Sequence, residues 1–427
     1  MTALIILLAI VALLMSGVAL AYITGVGVVL AYLLTGFDRY LAMAPHHIFS
    51  SMDVFALMSM PLFILAGELM NRGGITRSLI DFSMLLLGRI RGGLGYVNIA
   101  TSVFFAGISG SAAADVASLS NTLVPQMVRQ GYEPRYAGAI TAASSVIGPI
   151  IPPSIILILY GAIMSTDIAA LFAAGLIPGL LMAAALMATN AWFAVRERHP
   201  GGADLDIPPL GPTVRRALPA LTLPVIILGG IVFGVTTPIE AGALAVFAAI
   251  AIGMGQRELA PNAIVRAMQR TIVLTGALFM VLAAGSLIAY LLALVQAPQA
   301  IADTVQSLGL TGFTYLALLM LVFVIMGMGI DLMVALAMVA PLLVPQAIQE
   351  GFHPVQLGVL ICLNLTIGLI TPPLGGAVVM VSTIVGTPYW SLIRRLLPFV
   401  LVEFAVLFLV MLFPALTLYL PTRLGLL

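Results

Sequence analysis

Apolar runs follow one another along nearly the whole chain, separated by short polar stretches. A bilayer core about 30 Å thick needs about 20 apolar residues in helical form. Runs of that order fall at about Ala3–Leu20, Tyr22–Gly36, Asp53–Met70, Tyr136–Met164, Ile168–Val195, Ala217–Val235, Ala241–Gly255, Thr271–Val295, Leu357–Val385 and Leu396–Leu416. The second, at about 15 residues, is short and needs a thin local bilayer or burial among other helices. Ile75–Leu87 and Leu259–Arg270 mix charged and apolar positions and are predicted to lie along the membrane interface instead of crossing it.

Two of these runs contain an interruption. Ile147-Gly148-Pro149-Ile150-Ile151-Pro152-Pro153-Ser154 and Ile367-Gly368-Leu369-Ile370-Thr371-Pro372-Pro373-Leu374 lie 220 residues apart. Proline inside a helix removes a donor and clashes with the preceding turn, at a cost of about 3 kcal/mol. Lipid tolerates the break only where the freed backbone is buried in protein or lines a wet cavity. The same offset aligns the chain with itself from Gly107 and Gly327 onward, with 12 of 31 positions identical between Leu123 and Pro153. Pro125, Pro134, Pro152 and Pro153 meet Pro345, Pro354, Pro372 and Pro373, and Gly131, Gly138 and Gly148 meet Gly351, Gly358 and Gly368. Apolar bias alone does not align prolines and glycines, so the chain is an internal repeat. Paired interruptions in two such halves point to a transporter binding site.

Charge placement orients the halves. Leu94–Val128 has Arg72, Arg77, Arg89 and Arg91 before it and Arg129 and Arg135 after it. Arginine marks the cytoplasmic side. Both ends of this segment are therefore inside, and it enters and returns as a hairpin that turns at Gly107-Ile108-Ser109-Gly110-Ser111. Its counterpart, Thr311–Ala347, has no Lys or Arg from Thr271 to Ser391, so both its ends are outside. The expected organisation is a first repeat over 1–198, a cytoplasmic linker over 199–216 and a second, inverted repeat over 217–427. Within it the hairpins fall at about 94–128 and 311–347, and the broken spans at about 136–164 and 357–385. Both termini are then periplasmic. The fold class is an all-α polytopic membrane protein of two inverted repeats, each with a re-entrant hairpin and a Pro-Pro-broken helix.

Composition agrees: 62% of the 427 residues are hydrophobic and 8% charged, against about 25% charged in soluble domains. Mean hydropathy is +1.19. No charged n-region opens the chain, so the first run is expected to stay as a span. All 17 basic residues are arginine, and no basic patch with interleaved aromatics suggests nucleic acid. The single cysteine, Cys362, excludes an internal disulfide or a thiolate metal cluster.

Four interruptions, two hairpin tips and two broken spans, can converge near the midplane. Helix N-termini there offer N–H groups to an anion, and unwound backbone offers carbonyls to a hard cation such as sodium. The candidates in the first half are Ser109, Gly110, Ser111, Asp115, Ser144, Ser145, Pro152, Pro153 and Ser154. In the second they are Gly327, Gly329, Asp331, Asn364, Thr366, Thr371, Pro372 and Pro373. Serines in membrane helices also bond the backbone one turn back, and that reading stands beside the functional one. A carboxylate near the bilayer centre costs about 2.5–3.5 kcal/mol and is functional by default, which singles out Asp115 and Asp331. Glu68 beside Arg72 fits a solvated pair. Glu240 fits either a helix-start device or an internal contact. Glu403 has no assigned role. The four histidines fall in loops without ligand spacing.

Ser109-Gly110-Ser111-Ala112-Ala113-Ala114-Asp115, Pro125-Gln126-Met127 leading to Gly131-Tyr132-Glu133-Pro134, and Gly148-Pro149-Ile150-Ile151-Pro152-Pro153-Ser154 carry a resemblance. Thr237-Pro238-Ile239-Glu240-Ala241 and Gly368-Leu369-Ile370-Thr371-Pro372-Pro373-Leu374-Gly375 extend it over essentially the whole chain. Together they resemble the large membrane subunit of tripartite ATP-independent periplasmic (TRAP) transporters, of the dicarboxylate (DctM-like) type. Ser118-Leu119-Ser120-Asn121 departs from the family's small residues and glycine at that place. The resemblance implies a sodium-driven importer of small carboxylates in the bacterial inner membrane. It implies work with a separate small four-helix membrane subunit and a periplasmic substrate-binding protein, by an elevator mechanism. Sodium would sit at Ser109, Gly110 and Ser111 with Pro152, Pro153 and Ser154, and at Gly327, Gly329 and Asp331 with Thr371, Pro372 and Pro373. Substrate is expected at Ser109, Ser111, Asp115, Ser144, Ser145, Asn364 and Thr366.

Three alternatives remain at this stage: a self-sufficient sodium–dicarboxylate carrier with the same hairpins, an intramembrane enzyme, and a passive channel. An enzyme would need an acid–base or nucleophile pair in one site, and the sequence shows none. The sequence does not name the substrate.

Overall fold

The computed structural model describes residues 20–201 and 207–427, and the regular structure among them is helical. The predicted span Ala3–Leu20, but for Leu20, and residues 202–206 of the linker lie outside the described residues. The first half comprises α1 (Leu20–Leu34), α2 (Ala44–Met52), α3 (Ser59–Arg72), α4 (Ile75–Leu87), α5 (Gly93–Ser109), α6 (Ala112–Arg129), α7 (Pro134–Ser144), α8 (Ile155–Met164) and α9 (Ile168–Arg196). The second comprises α10 (Leu210–Val232), α11 (Pro238–Gly255), α12 (Pro261–Leu294), α13 (Ala297–Ser307), α14 (Phe313–Gly329), α15 (Leu332–Gln349), α16 (Pro354–Gly368), α17 (Gly376–Val385) and α18 (Tyr389–Leu412). A short α19 (Ala415–Arg423) follows.

The 220-residue offset read from the prolines runs through the elements. Shifted by it, the bounds of α5 and α6 fall on those of α14 and α15 to the residue. The first residue of α7 falls on that of α16, while α8 and α9 fall within a few residues of α17 and α18. Polar contacts close each hairpin. In the first, the Asn98 amide donates to Met127 Sδ at 3.9 Å. In the second, Tyr315 Oη donates to the Leu343 carbonyl at 2.8 Å, and Gly312 N donates to Glu350 Oε2 at 2.7 Å at the base. Sequence separations that bracket residues 110 and 330 in this way mark antiparallel arms.

Both proline pairs break their spans. Helix α7 ends at Ser144 and α8 begins at Ile155; α16 ends at Gly368 and α17 begins at Gly376. The Pro152–Pro153 and Pro372–Pro373 bonds are cis. Among the described residues six helices are individually long and apolar enough to cross a membrane, and Asp38–Met52 with Phe55–Arg72, bent by 66°, can form a seventh. The hairpin arm α15 is one of these six, and the other hairpin arms and the broken spans are built from helices outside that set.

One expectation is corrected. Leu259–Arg270 is not a separate interfacial helix: from Pro261 it forms the first turns of α12, which runs unbroken over 34 residues. Its amphipathic look comes from Arg266 and Arg270 at the end of a long helix, where charge reaches water. The repeat partner of α4 is α13, which a reading by apolar runs alone passes over because it carries one charge, Asp303, and several polar residues.

Two bodies result. Helices α5 to α9 pack with α14 to α18, while α1, α2, α3, α11 and α12 pack on one another. The contacts of α12 with α15 and of α3 with α5 and α8 join the two bodies, and α4 and α10 pack on both.

Candidate transport site

Each hairpin tip rests on the broken span of its own repeat, and small residues make this close approach feasible. Gly110 holds φ +56°, and a Cβ on it would collide with the Pro153 carbonyl oxygen. A Cβ on Gly148 would lie 3.6 Å from the Ser111 carbonyl carbon. In the second repeat a Cβ on Gly368 would stand 2.8 Å from the Gly327 backbone, and one on Gly327 would stand 2.8 Å from the Leu365 carbonyl. Gly375 N donates to the Met328 carbonyl at 3.3 Å, tying the second break to the second tip. Gly329 lies exposed on that tip, where a Cβ would meet only Leu374 at 3.6 Å.

Both tips open on a common cavity of about 390 Å³. Ser111, Ala113 and Ala114 reach it from the first tip, Asp331, Met333 and Val334 from the second, and Ile155 from the first broken span. The opposite wall comes from α3, with Ile64, Gly67, Glu68 and Asn71, and from α12, with Leu274, Ala277, Leu278 and Val281. Two helix N-termini therefore face one space. Ser111 caps α6 by accepting from Ala114 N at 3.4 Å, and Asp331 caps α15 by accepting from Met333 N at 2.9 Å. The side chain of Ser109, at the end of α5, lies outside the described residues. Ser154 caps α8, accepting from Leu157 N at 3.2 Å while its hydroxyl donates to the Pro149 carbonyl.

The other expected substrate residues do not line this cavity. Ser144 belongs to a buried network in which the Asn98 amide donates to Thr141 at 2.7 Å and Ser144 donates to Asn98 Oδ1 at 2.9 Å. Ser102 donates to Ser144 at 3.0 Å. Asp115 is 1% exposed with Ser102 beside it. The repeat partner of Ser144, Asn364, donates to the Met320 carbonyl. Both thus clamp a broken span to its own hairpin. Ser145 donates to the Ala142 carbonyl at 2.7 Å, Thr366 to those of Cys362 and Leu363, and Thr371 to that of Ile367 at 2.7 Å. Tyr389 Oη donates to the Pro373 and Leu374 carbonyls at 2.9 and 3.0 Å. Pro152 and Pro153 are buried, whereas Pro372 is half-buried and Pro373 exposed.

Sequence reasoning missed Asn98, Ser102 and Thr141, although they carry the same signal as Ser144, a polar side chain in an apolar helix. It also read Glu68 as a solvated pair with Arg72. That pair is present at 3.4 Å, and Glu68 also lines the cavity and pairs with Arg270 of the other repeat at 2.8 Å. Glu240 is settled as a helix-start device, the N3 member of a capping box with Thr237. Glu403 is fully buried, and neither of its oxygens has a hydrogen-bond partner among the described residues.

Inverted repeats, two re-entrant hairpins, two broken spans and a cavity between their tips define a multi-pass membrane transporter of the broken-helix kind. The sequence profile of the family described as tripartite ATP-independent periplasmic transporter, DctM component, matches residues 5–416. The chain belongs to that family. It is 35% identical over 400 residues to the sialic acid TRAP transporter large permease protein SiaM of Vibrio cholerae, covering 92% of each chain. It is 34% identical to the C4-dicarboxylate TRAP transporter large permease protein DctM of Pseudomonas aeruginosa, covering 88% of this chain and 89% of that one. The 2,3-diketo-L-gulonate TRAP transporter large permease protein YiaN of Escherichia coli is 34% identical, over 83% of this chain and 84% of its own. Among solved structures the YdaH transporter of Alcanivorax borkumensis shares the fold, with a TM-score of 0.62 at 16% identity over 88% of each chain.

Proposed function

We propose that this chain is the large permease subunit of a sodium-coupled, binding-protein-dependent importer of small organic acids in the bacterial inner membrane. The observation that carries the reading is the opening of both hairpin tips onto one cavity whose far wall belongs to the other helical body. An elevator motion would carry the hairpins and broken spans past α3 and α12, exposing that cavity to each side in turn. The relatives transport sialic acid, C4-dicarboxylates and 2,3-diketo-L-gulonate by their names, which supports an acid as cargo without choosing one.

Sodium is assigned to the tips and breaks: Ser109, Gly110 and Ser111 with Pro152, Pro153 and Ser154, and Gly327, Gly329 and Asp331 with Thr371, Pro372 and Pro373. The support is chemical. Broken helices leave carbonyls unpaired, and hard cations take oxygen ligands. Family membership supports a small membrane subunit and a periplasmic binding protein as partners, and arginine placement supports periplasmic termini. The test is uptake of labelled organic acids by liposomes holding this chain with those two partners under imposed sodium gradients. Uptake that follows the inward sodium gradient and needs the binding protein is expected. Equal uptake with potassium in place of sodium would sink the coupling, and uptake by this chain alone would favour a self-sufficient carrier.

A further inference from the structure

The two helix N-termini on the cavity differ in charge. At α6 the cap is a neutral hydroxyl, that of Ser111. At α15 the cap is a carboxylate, Asp331, which already accepts from Met333 N. A helix N-terminus draws an anion through its dipole and its first N–H groups. The α15 terminus already carries an anion supplied by the chain itself. Sodium assigned to this tip would be neutralised by Asp331 and would leave no positive charge there for a second carboxylate.

The scaffold wall offers no alternative seat. Glu68 presents a carboxylate, and its partners Arg72 and Arg270 are held by it and do not line the cavity. Asn71 and Ser111 are the neutral polar side chains of the lining. Most of the rest is apolar, including Ile64, Phe105, Leu274, Leu278, Val281 and Val334. A second carboxylate set against this wall would find only the Asn71 amide as donor, and a group of several hydroxyls would find only Glu68 and Asn71 among apolar neighbours.

Resting on the reading of this cavity as the site of the transported acid, we infer that the cargo is a monocarboxylate with an apolar body, branched aliphatic or aromatic. Its carboxylate faces the α6 terminus and its body lies along α3 and α12. A C4-dicarboxylate or a polyhydroxylated sugar acid fits this wall poorly.

The experiment is thermal stabilisation of the purified full chain in sodium-containing detergent solution. The probes are 4-methyl-2-oxopentanoate, succinate and N-acetylneuraminate. The branched monocarboxylate is expected to raise the melting temperature, half-saturating at a concentration about tenfold below either rival. Leu278→Arg, which adds a cation to the apolar wall, is expected to narrow or reverse the gap for succinate. Succinate or N-acetylneuraminate binding as well as the branched acid would overturn the inference and leave the organic-acid reading standing. No stabilisation by any of the three would remove that reading as well.

Discussion

At Gly110 the backbone sits in the left-handed region, and a side chain would run into the Pro153 carbonyl. A non-glycine residue there costs about 1–2 kcal/mol for its conformation alone, and the collision adds to it. Gly110→Ala and Gly368→Val are each expected to abolish the proposed sodium-dependent uptake by prising a tip from its broken span. The chain should still elute as a folded species in gel filtration, because the helices on either side keep their packing. His199 supplies a pH prediction. Its ring lies 5.0 Å from that of Tyr132 and 4.4 Å from that of Tyr136, and Nδ1 is buried without a hydrogen-bond partner among the described residues. Burial pushes its pKa below the ordinary value of 6.5; Glu197 opposes that push, and Arg395 and Arg91 reinforce it. A base whose folded pKa is depressed favours the neutral form, so stability falls as pH drops below about 6.5 toward the folded value. Melting temperature should decline over that window in the parent and decline less in His199→Phe. The sequence showed that His199 stood in a linker. Its burial between two tyrosines comes from α7 folding beside it.

At the scale of elements, the proline and glycine register was legible because each of those residues breaks or bends a helix by local chemistry. Hairpin and broken-span bounds followed from it closely. The second-half counterpart of α4 was not legible, since charge near the end of a long helix and charge on a surface helix look alike in one dimension. Tertiary ties hold the elements in place. Arg395 at the start of α18 bonds both Glu133, before α7, and Glu197, after α9. These groups are a quarter to a third exposed, so Arg395→Gln should cost only about 1 kcal/mol after screening, read as a lower melting temperature. Glu403 on α18 is the reverse case, a buried carboxyl with no hydrogen-bond partner among the described residues. An unsatisfied buried polar group costs about 1–3 kcal/mol, which an apolar side chain of similar volume would not incur. Glu403→Met should therefore melt at a higher temperature, and a lower one would show a partner there.

For the whole molecule, the Glu68–Arg270 pair links α3 of the first repeat to α12 of the second at the cavity wall. Arg270→Gln strips one countercharge from a carboxylate that the proposed anionic cargo would pass. At an effective dielectric near 20 a pair 4 Å apart is worth about 4 kcal/mol, and about 1 in water. Partial exposure favours the lower figure. KM for the acid should rise about tenfold with a smaller change in kcat, and Glu68→Gln in the same chain should reverse most of the rise. Unchanged KM in Arg270→Gln would place Glu68 outside the path of the cargo.

Local chemistry alone determined that this chain spans a membrane, that it is a doubled and inverted unit, and where its helices fail, because hydropathy, arginine placement and proline act within a few turns of where they occur. Which polar residues meet the cavity was decided only by packing across hundreds of residues. Ser144 and Asn364 share with Ser111 and Asp331 the mark of polarity in an apolar run, yet the first two are turned inward to clamp a hairpin and the last two open on the cavity. That difference depends on which helix lies alongside, a relation between distant parts of the chain that no local pattern encodes.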